Sequence, residues 1–228
     1  MTLYGIALYN GNMFIKRVII WRLAAWGVTA IGVLLAVTAG LSALHSHSAP
    51  RIPPGVSSTM PSAIKPTPQA IASYTVPATN PKYIAIPAIG VKNTPVVKLG
   101  ITKTGAIAAP DTIYSAGWYS GSSLPGQTGA MFIYGHVSTW QAKGVFFDLK
   151  RLKPGDRITV VRGDNKNYTY QVVGRSVYPY NAVDMGQVLS PVNTRIPGLN
   201  LMTCTGSLIT GTSEFSERLV VFASLVST

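Results

Sequence analysis

The chain has 228 residues, only 11% of them charged, and a formal net charge of +12 at pH 7. Its cationic residues are scattered singly, and no zinc-finger, RNA-recognition or helix-turn-helix signature occurs, so the basic balance points to an anionic membrane surface and not to nucleic acid. A single cysteine excludes an internal disulfide and a multi-thiolate metal site.

No acidic residue precedes Asp111. Residues 1–22 read as a short cytoplasmic N-terminus. The uncharged run Leu23–Leu44 follows; as a helix it would span roughly 33 Å, enough to cross a bilayer core. Lys16, Arg17 and Arg22 stand just before it and only Arg51 soon after, so the positive-inside rule places all that follows outside the cell. Trp21 and Trp26 suit the interfacial end. A cleaved signal peptide is the alternative, since "LSALHSHSA" offers small residues to a peptidase; the apolar run exceeds the usual signal core of about 7–15 residues, which favours a retained single-pass anchor.

Residues 45–81 are rich in Pro, Ser, Thr and Ala, the composition of an extended stalk. His45 and His47 lie there and read as solvated linker residues, not metal ligands. From residue 82 to 228 the texture changes. Short runs rich in Val, Ile, Tyr and Phe alternate with turn residues: "YIAIPAIGV", "TPVVKLG", "AMFIYGHVS", "DRITVVRG", "NYTYQVVGRSVYPY", "LNLMTC" and "RLVVFASLV" are predicted strands. "KPGD" at Lys153–Asp156 is a turn and "GDNKN" at Gly163–Asn167 closes a hairpin. Helical periods are short, in Val137–Leu152 and Asn181–Ser190. Many strands at close spacing predict a mainly β barrel or sandwich.

This domain holds one cysteine, Cys204, and one histidine, His136. Each closes a predicted strand, and Arg218 opens the last one. A cysteine nucleophile acts as a thiolate in an electropositive setting, an imidazole can exchange protons with it, and a guanidinium can hold an oxyanion. Thr203 and Thr205 flank the cysteine and add hydroxyls and N–H groups for an oxyanion or substrate. Bland readings compete: a core cysteine, a hydrogen-bonded strand-end histidine, a solvated arginine. Metal binding lacks ligands, calcium included, because the seven acidic residues form no cluster.

"TCTG" followed by a spacer and "ERLVVFA" resembles the sortase family, in which a Thr-Cys pair ends one strand and an arginine opens the next. "GAMFIYGHVS" is similar to the sortase histidine strand, "GVFFDLKRLKPGDRITV" to the stretch ending in a Pro-Gly-Asp turn, and "IAIPAIGV" to the opening strand. The resemblance covers about Lys82 to Val226 and implies an eight-stranded β-barrel with short helices, preceded by the transmembrane helix. It matches His136, Cys204 and Arg218 to the family's catalytic trio, and Thr203 to the residue before the cysteine. It implies a cysteine transpeptidase, without cofactor or metal, that cleaves an LPxTG-like C-terminal sorting signal of exported proteins through a thioacyl-enzyme. The acyl group then passes to an amine acceptor, a cell-wall peptide or a protein lysine. The segment Gly117–Gly129 looks closest to classes D, E or F; no C-terminal span of the pilin-polymerising type and no evident lid is read. An exported cysteine peptidase using water, and a non-catalytic cell-surface binding barrel, are the alternatives.

Overall fold

The computed structural model describes residues 60–228. The predicted span Leu23–Leu44, its flanking charges, His45 and His47 lie outside the described residues. Among those described, no helix is long and apolar enough to cross a membrane.

Eight strands form the domain: β1 (Pro81–Ile86), β2 (Val91–Leu99), β3 (Ala116–Tyr119), β4 (Ala130–Gly135), β5 (Arg157–Arg162), β6 (Asn167–Pro179), β7 (Gly198–Leu208) and β8 (Phe215–Ser227). They close into a barrel in the order β1-β2-β3-β4-β7-β8-β6-β5. Neighbours are antiparallel except β2 with β3 and β4 with β7. Closure leaves no free edge among these strands.

Side chains alternate across a strand, and β4, β7 and β8 use both faces for burial. Met131, Ile133, Leu199, Leu201, Leu219 and Val221 point into the barrel, where they join Ile84, Ile158 and Tyr170. Phe132, Met202, Val220 and Phe222 point outward into a second apolar cluster with Leu99, Ile107 and Val188. A short helix, α2 (Met185–Val188), helps cover this outer face. The buried Asn200 ties the cover down, its Nδ2 donating to the carbonyls of Val188 at 2.7 Å and Ser190 at 2.9 Å. Double burial is why these three strands read as near-continuous apolar runs.

Three sequence expectations change in detail. Strand β3 was no predicted strand; its four residues contain two small ones, and its pairing is entirely with distant β2 and β4. Residues 137–152 form a loop with a single Ser138–Lys143 bridge and a 3-10 turn at Leu149–Arg151, not a helix. Residues 60–81, assigned to the stalk by composition, are tied to the barrel. Ser62 N–H donates to Asp111 O at 2.8 Å and Ile113 N–H to Ser62 O at 3.0 Å. The Pro and Thr that suggest an extended tail instead start a helix, α1 (Pro68–Ala72): Pro68 sits in its first turn, and Thr67 caps it by accepting from Ala70 N–H at 3.1 Å. Tyr74 then donates to Val96 O at 2.9 Å, and Tyr83 to Ile71 O.

Candidate active site

Register brings the three singled-out residues to one level. In the parallel β4–β7 pair Tyr134 faces Met202, an offset of 68 that carries His136 to the level of Cys204. In the antiparallel β7–β8 pair Cys204 faces Arg218 directly. Even-numbered side chains of these strands point outward, so Cys204 and Arg218 stand on the outer wall of the barrel on adjacent strands, and His136 directly follows β4 beside them. All three line one cavity of about 370 Å³. Its other walls are mainly apolar, with Ile107, Phe132, Met202 and Phe215, and exposed Met60, Trp140 and Leu208 at the margins. Cys204 also borders a smaller cavity of about 200 Å³, where Ser138, Thr205 and Lys150 contribute polar groups.

The end of β4 is fixed from within. Thr203 is 2% exposed, and its hydroxyl donates to Gly135 O at 2.8 Å. The hydroxyl expected to face substrate thus tethers the histidine strand to the cysteine strand. Gly135 has no room for a side chain, because a Cβ there would stand 2.5 Å from the Phe146 ring. Phe146 N–H in turn donates to His136 O at 3.1 Å. The His136 ring bonds through Nε2 to Pro110 O at 2.8 Å. A carbonyl only accepts, so Nε2 carries the proton and Nδ1 is the nitrogen left for proton exchange.

Arg218, a surface charge in the bland reading, is 4% exposed. Its Nη1 donates to the carbonyls of Phe215 at 2.9 Å and Glu217 at 3.0 Å, and its Nη2 to Glu214 Oε2 at 2.6 Å. Among the described residues no hydrogen bond joins Cys204 to His136. The sulfur's side-chain partner is the Tyr134 hydroxyl, 3.4 Å away. Tyr134 and Glu214 were not singled out in the sequence. The first had a signal: two residues before His136 on one strand, it must share that residue's face. The second, on the β7–β8 loop, had none.

The Sortase domain family matches residues 84–226, most of the chain and all but the start of the barrel. The chain belongs to the sortase family. Among solved sortases, a mutant of sortase C-1 from S. pneumoniae is 27% identical with a TM-score of 0.50, the match covering 64% of this chain and 66% of that one. Streptococcus pneumoniae sortase C is 24% identical with a TM-score of 0.52, covering 73% and 76% respectively. A sortase D5 transpeptidase of Clostridium perfringens is 22% identical with a TM-score of 0.48, covering 65% and 79%. The chain thus spans just under two thirds of the first of these. Comparison with curated proteins gives no match.

In this sortase barrel the cysteine and histidine are shifted in opposite directions. Burial pushes the Cys204 thiol up, a trend partly offset by the Arg218 charge and the Tyr134 hydrogen bond, while Glu214 adds to it. Burial pushes His136 down, and its bond to Pro110 opposes this. Glu214 holds the guanidinium in place but also dilutes its field at the sulfur. Glu214→Ala removes the carboxylate from a nearly buried cation and is expected to lower stability by about 2 kcal/mol, the scale of a hydrogen bond to a charged group. Urea melts of wild type and variant measure this, and equal midpoints would show that the pair contributes nothing.

Proposed function

We propose that the protein is a cysteine transpeptidase whose catalytic residues are Cys204, His136 and Arg218. The observation that carries this reading is their alignment at one level of three adjacent strands along one apolar cavity. Cys204 thiolate attacks a backbone carbonyl of a sorting signal; the C–S bond forms and the carbonyl electrons move to oxygen. Arg218 stabilises that oxyanion. Collapse expels the amine, which takes a proton from the His136 imidazolium, and leaves a thioester on Cys204. An incoming amine then attacks the thioester, passes a proton to the now neutral His136, and frees the thiolate. The apolar cavity is assigned to the donor peptide, an LPxTG-like segment with an apolar side chain to bury. The smaller cavity, with hydroxyls of Ser138 and Thr205, is assigned to the acceptor amine, a cell-wall peptide or protein lysine.

The reading extends to a cell-membrane location. Leu23–Leu44 anchors the chain in lipid, the N-terminus is cytoplasmic, and the barrel acts on exported surface proteins. The apolar run and the cations before it support this. Protease treatment of intact cells that digests the barrel while sparing a cytoplasmic marker is the expected outcome.

A peptide library incubated with the domain, with and without an added amine, tests the function. Amide product in the presence of amine supports transfer. Cleavage with water alone as acceptor, unaffected by amine, would make the protein a peptidase, and no cleavage of any peptide would favour a binding barrel.

The opposed shifts set the pH dependence. Reaction needs thiolate and imidazolium together. At ordinary values of about 8.5 and about 6.5, roughly one enzyme molecule in a hundred carries both charges. Raising the thiol and lowering the imidazole makes that fraction smaller still and widens the interval between them. The rate is expected to be bell-shaped, its maximum lying between the lowered histidine value and the raised cysteine value, with limbs belonging to the pair. Initial rates of peptide cleavage across pH check this; a rate that climbs monotonically to high pH would show that no imidazolium is needed.

A further inference from the structure

Tyr134 touches both the nucleophile and the histidine. Its hydroxyl lies 3.4 Å from Cys204 Sγ, and its ring meets the His136 ring edge-on with centroids 5.8 Å apart. It lines the same cavity as both. Strand geometry brings the groups within reach: Tyr134 is the penultimate residue of β4, His136 follows that strand directly, and Cys204 stands on the neighbouring β7, two residues beyond Tyr134's partner Met202. No hydrogen bond to another side chain competes for the phenol among the described residues; its polar atom is directed at the sulfur.

We propose that Tyr134 is a fourth catalytic residue, whose phenol O–H donates a hydrogen bond to the Cys204 thiolate and holds it ready for attack. The inference takes its chemistry from the transpeptidase reading but rests on its own contact. A thiolate accepts and cannot donate, so in the reactive form the proton of this bond belongs to tyrosine. Tyrosine keeps that proton throughout. When sulfur bonds to the carbonyl carbon its charge moves to the carbonyl oxygen, and the phenol is released from a weakened acceptor beside the new oxyanion that Arg218 holds. Burial and the neighbouring cysteine both push the Tyr134 hydroxyl well above its usual range, so it stays a donor across the working pH. The other charged groups facing the sulfur are Arg218 from β8 and Glu214 from the β7–β8 loop, with the His136 ring edge-on to the tyrosine ring. Arg218 favours the thiolate by charge, and Glu214 opposes it; the phenol adds a donor without adding charge.

Tyr134→Phe keeps the ring against His136 and deletes only the donor. Alkylation of Cys204 by iodoacetamide, followed against pH, reads the thiolate without any peptide. The variant is expected to react about 10- to 100-fold more slowly at neutral pH, the scale for losing a hydrogen bond to a charged group. Its profile should move to higher pH, with the rate at the high-pH plateau retained. A purely packing tyrosine would change the plateau through access and leave the inflection in place. Superimposable profiles for wild type and Tyr134→Phe would overturn the proposal even if the enzyme transfers peptides normally. A shifted profile in a protein that forms no acyl adduct with any peptide would retain the Tyr134 contact and reject transpeptidation.

Discussion

Cys204→Ala is expected to abolish both cleavage and amine transfer while leaving the barrel folded. Cys204 is the only thiol in the chain, so no second sulfur can take over the acyl group. The alternative reading, a structural core cysteine, predicts the reverse: activity elsewhere and a damaged fold. The burial pattern separates the two. Cys204 is only partly buried and faces a cavity, while the fully buried neighbours Leu201 and Met202 pack the two sides of β7. Removing one sulfur atom from such a position is expected to cost no more than about 1 kcal/mol. A denaturant melt and a peptide assay on the same preparation give both readings. Residual transfer above background would remove Cys204 from the mechanism, and an unfolded variant would return it to the core.

Replacing Arg218 or His136 by alanine is expected to slow acylation by about 100-fold or more, the scale for losing an oxyanion donor or a positioned acid. The two losses differ in kind. His136 is held through Nε2 by Pro110, and its removal takes the proton donor from the leaving amine while leaving Arg218 in place. Arg218 also organises the β7–β8 loop, through two carbonyls and Glu214. Arg218→Ala therefore loses stability as well as rate, and Arg218→Lys is the cleaner variant. Lysine keeps the charge, but a compact ammonium cannot reproduce the planar fork that meets Glu214 and two carbonyls together. Most of the rate loss should persist in Arg218→Lys. Single-turnover acylation rates measure both, with melts as the control. A lysine variant as fast as wild type would show that only the positive charge matters, not the fork.

Much of this site was legible before any fold was known. The apolar runs that predict β4, β7 and β8 end at His136 and Cys204 and begin at Arg218, and a strand's end is a property of local sequence. Which strands become neighbours is not local. The parallel pairing of β4 with β7 joins segments 68 residues apart, and it alone levels His136 with Cys204. The placing on the outer wall was not legible from strand ends, because alternation fixes the face only once the barrel interior is known. Strand β3 was invisible for the same reason: two of its four residues are small, and long-range partners define it. The Arg218–Glu214 pair needed the loop's conformation, whereas Tyr134 was available from spacing alone. The Pro- and Thr-rich stretch before the barrel shows the limit of composition. Met60 and Pro61 border the cavity that Cys204 lines, and Thr67 and Pro68 begin a helix.

The central claim, covalent catalysis through Cys204, is tested most directly by trapping the acyl-enzyme. The domain is incubated with a peptide it cleaves, without added amine, quenched in acid and digested for mass spectrometry. The account predicts that the fragment containing Cys204 gains the mass of the acyl half of the substrate, and that a pulse of amine before quenching discharges this adduct into amide product. Cleavage that proceeds with Cys204 unmodified at every time sampled, and that survives prior alkylation of the thiol, would contradict it.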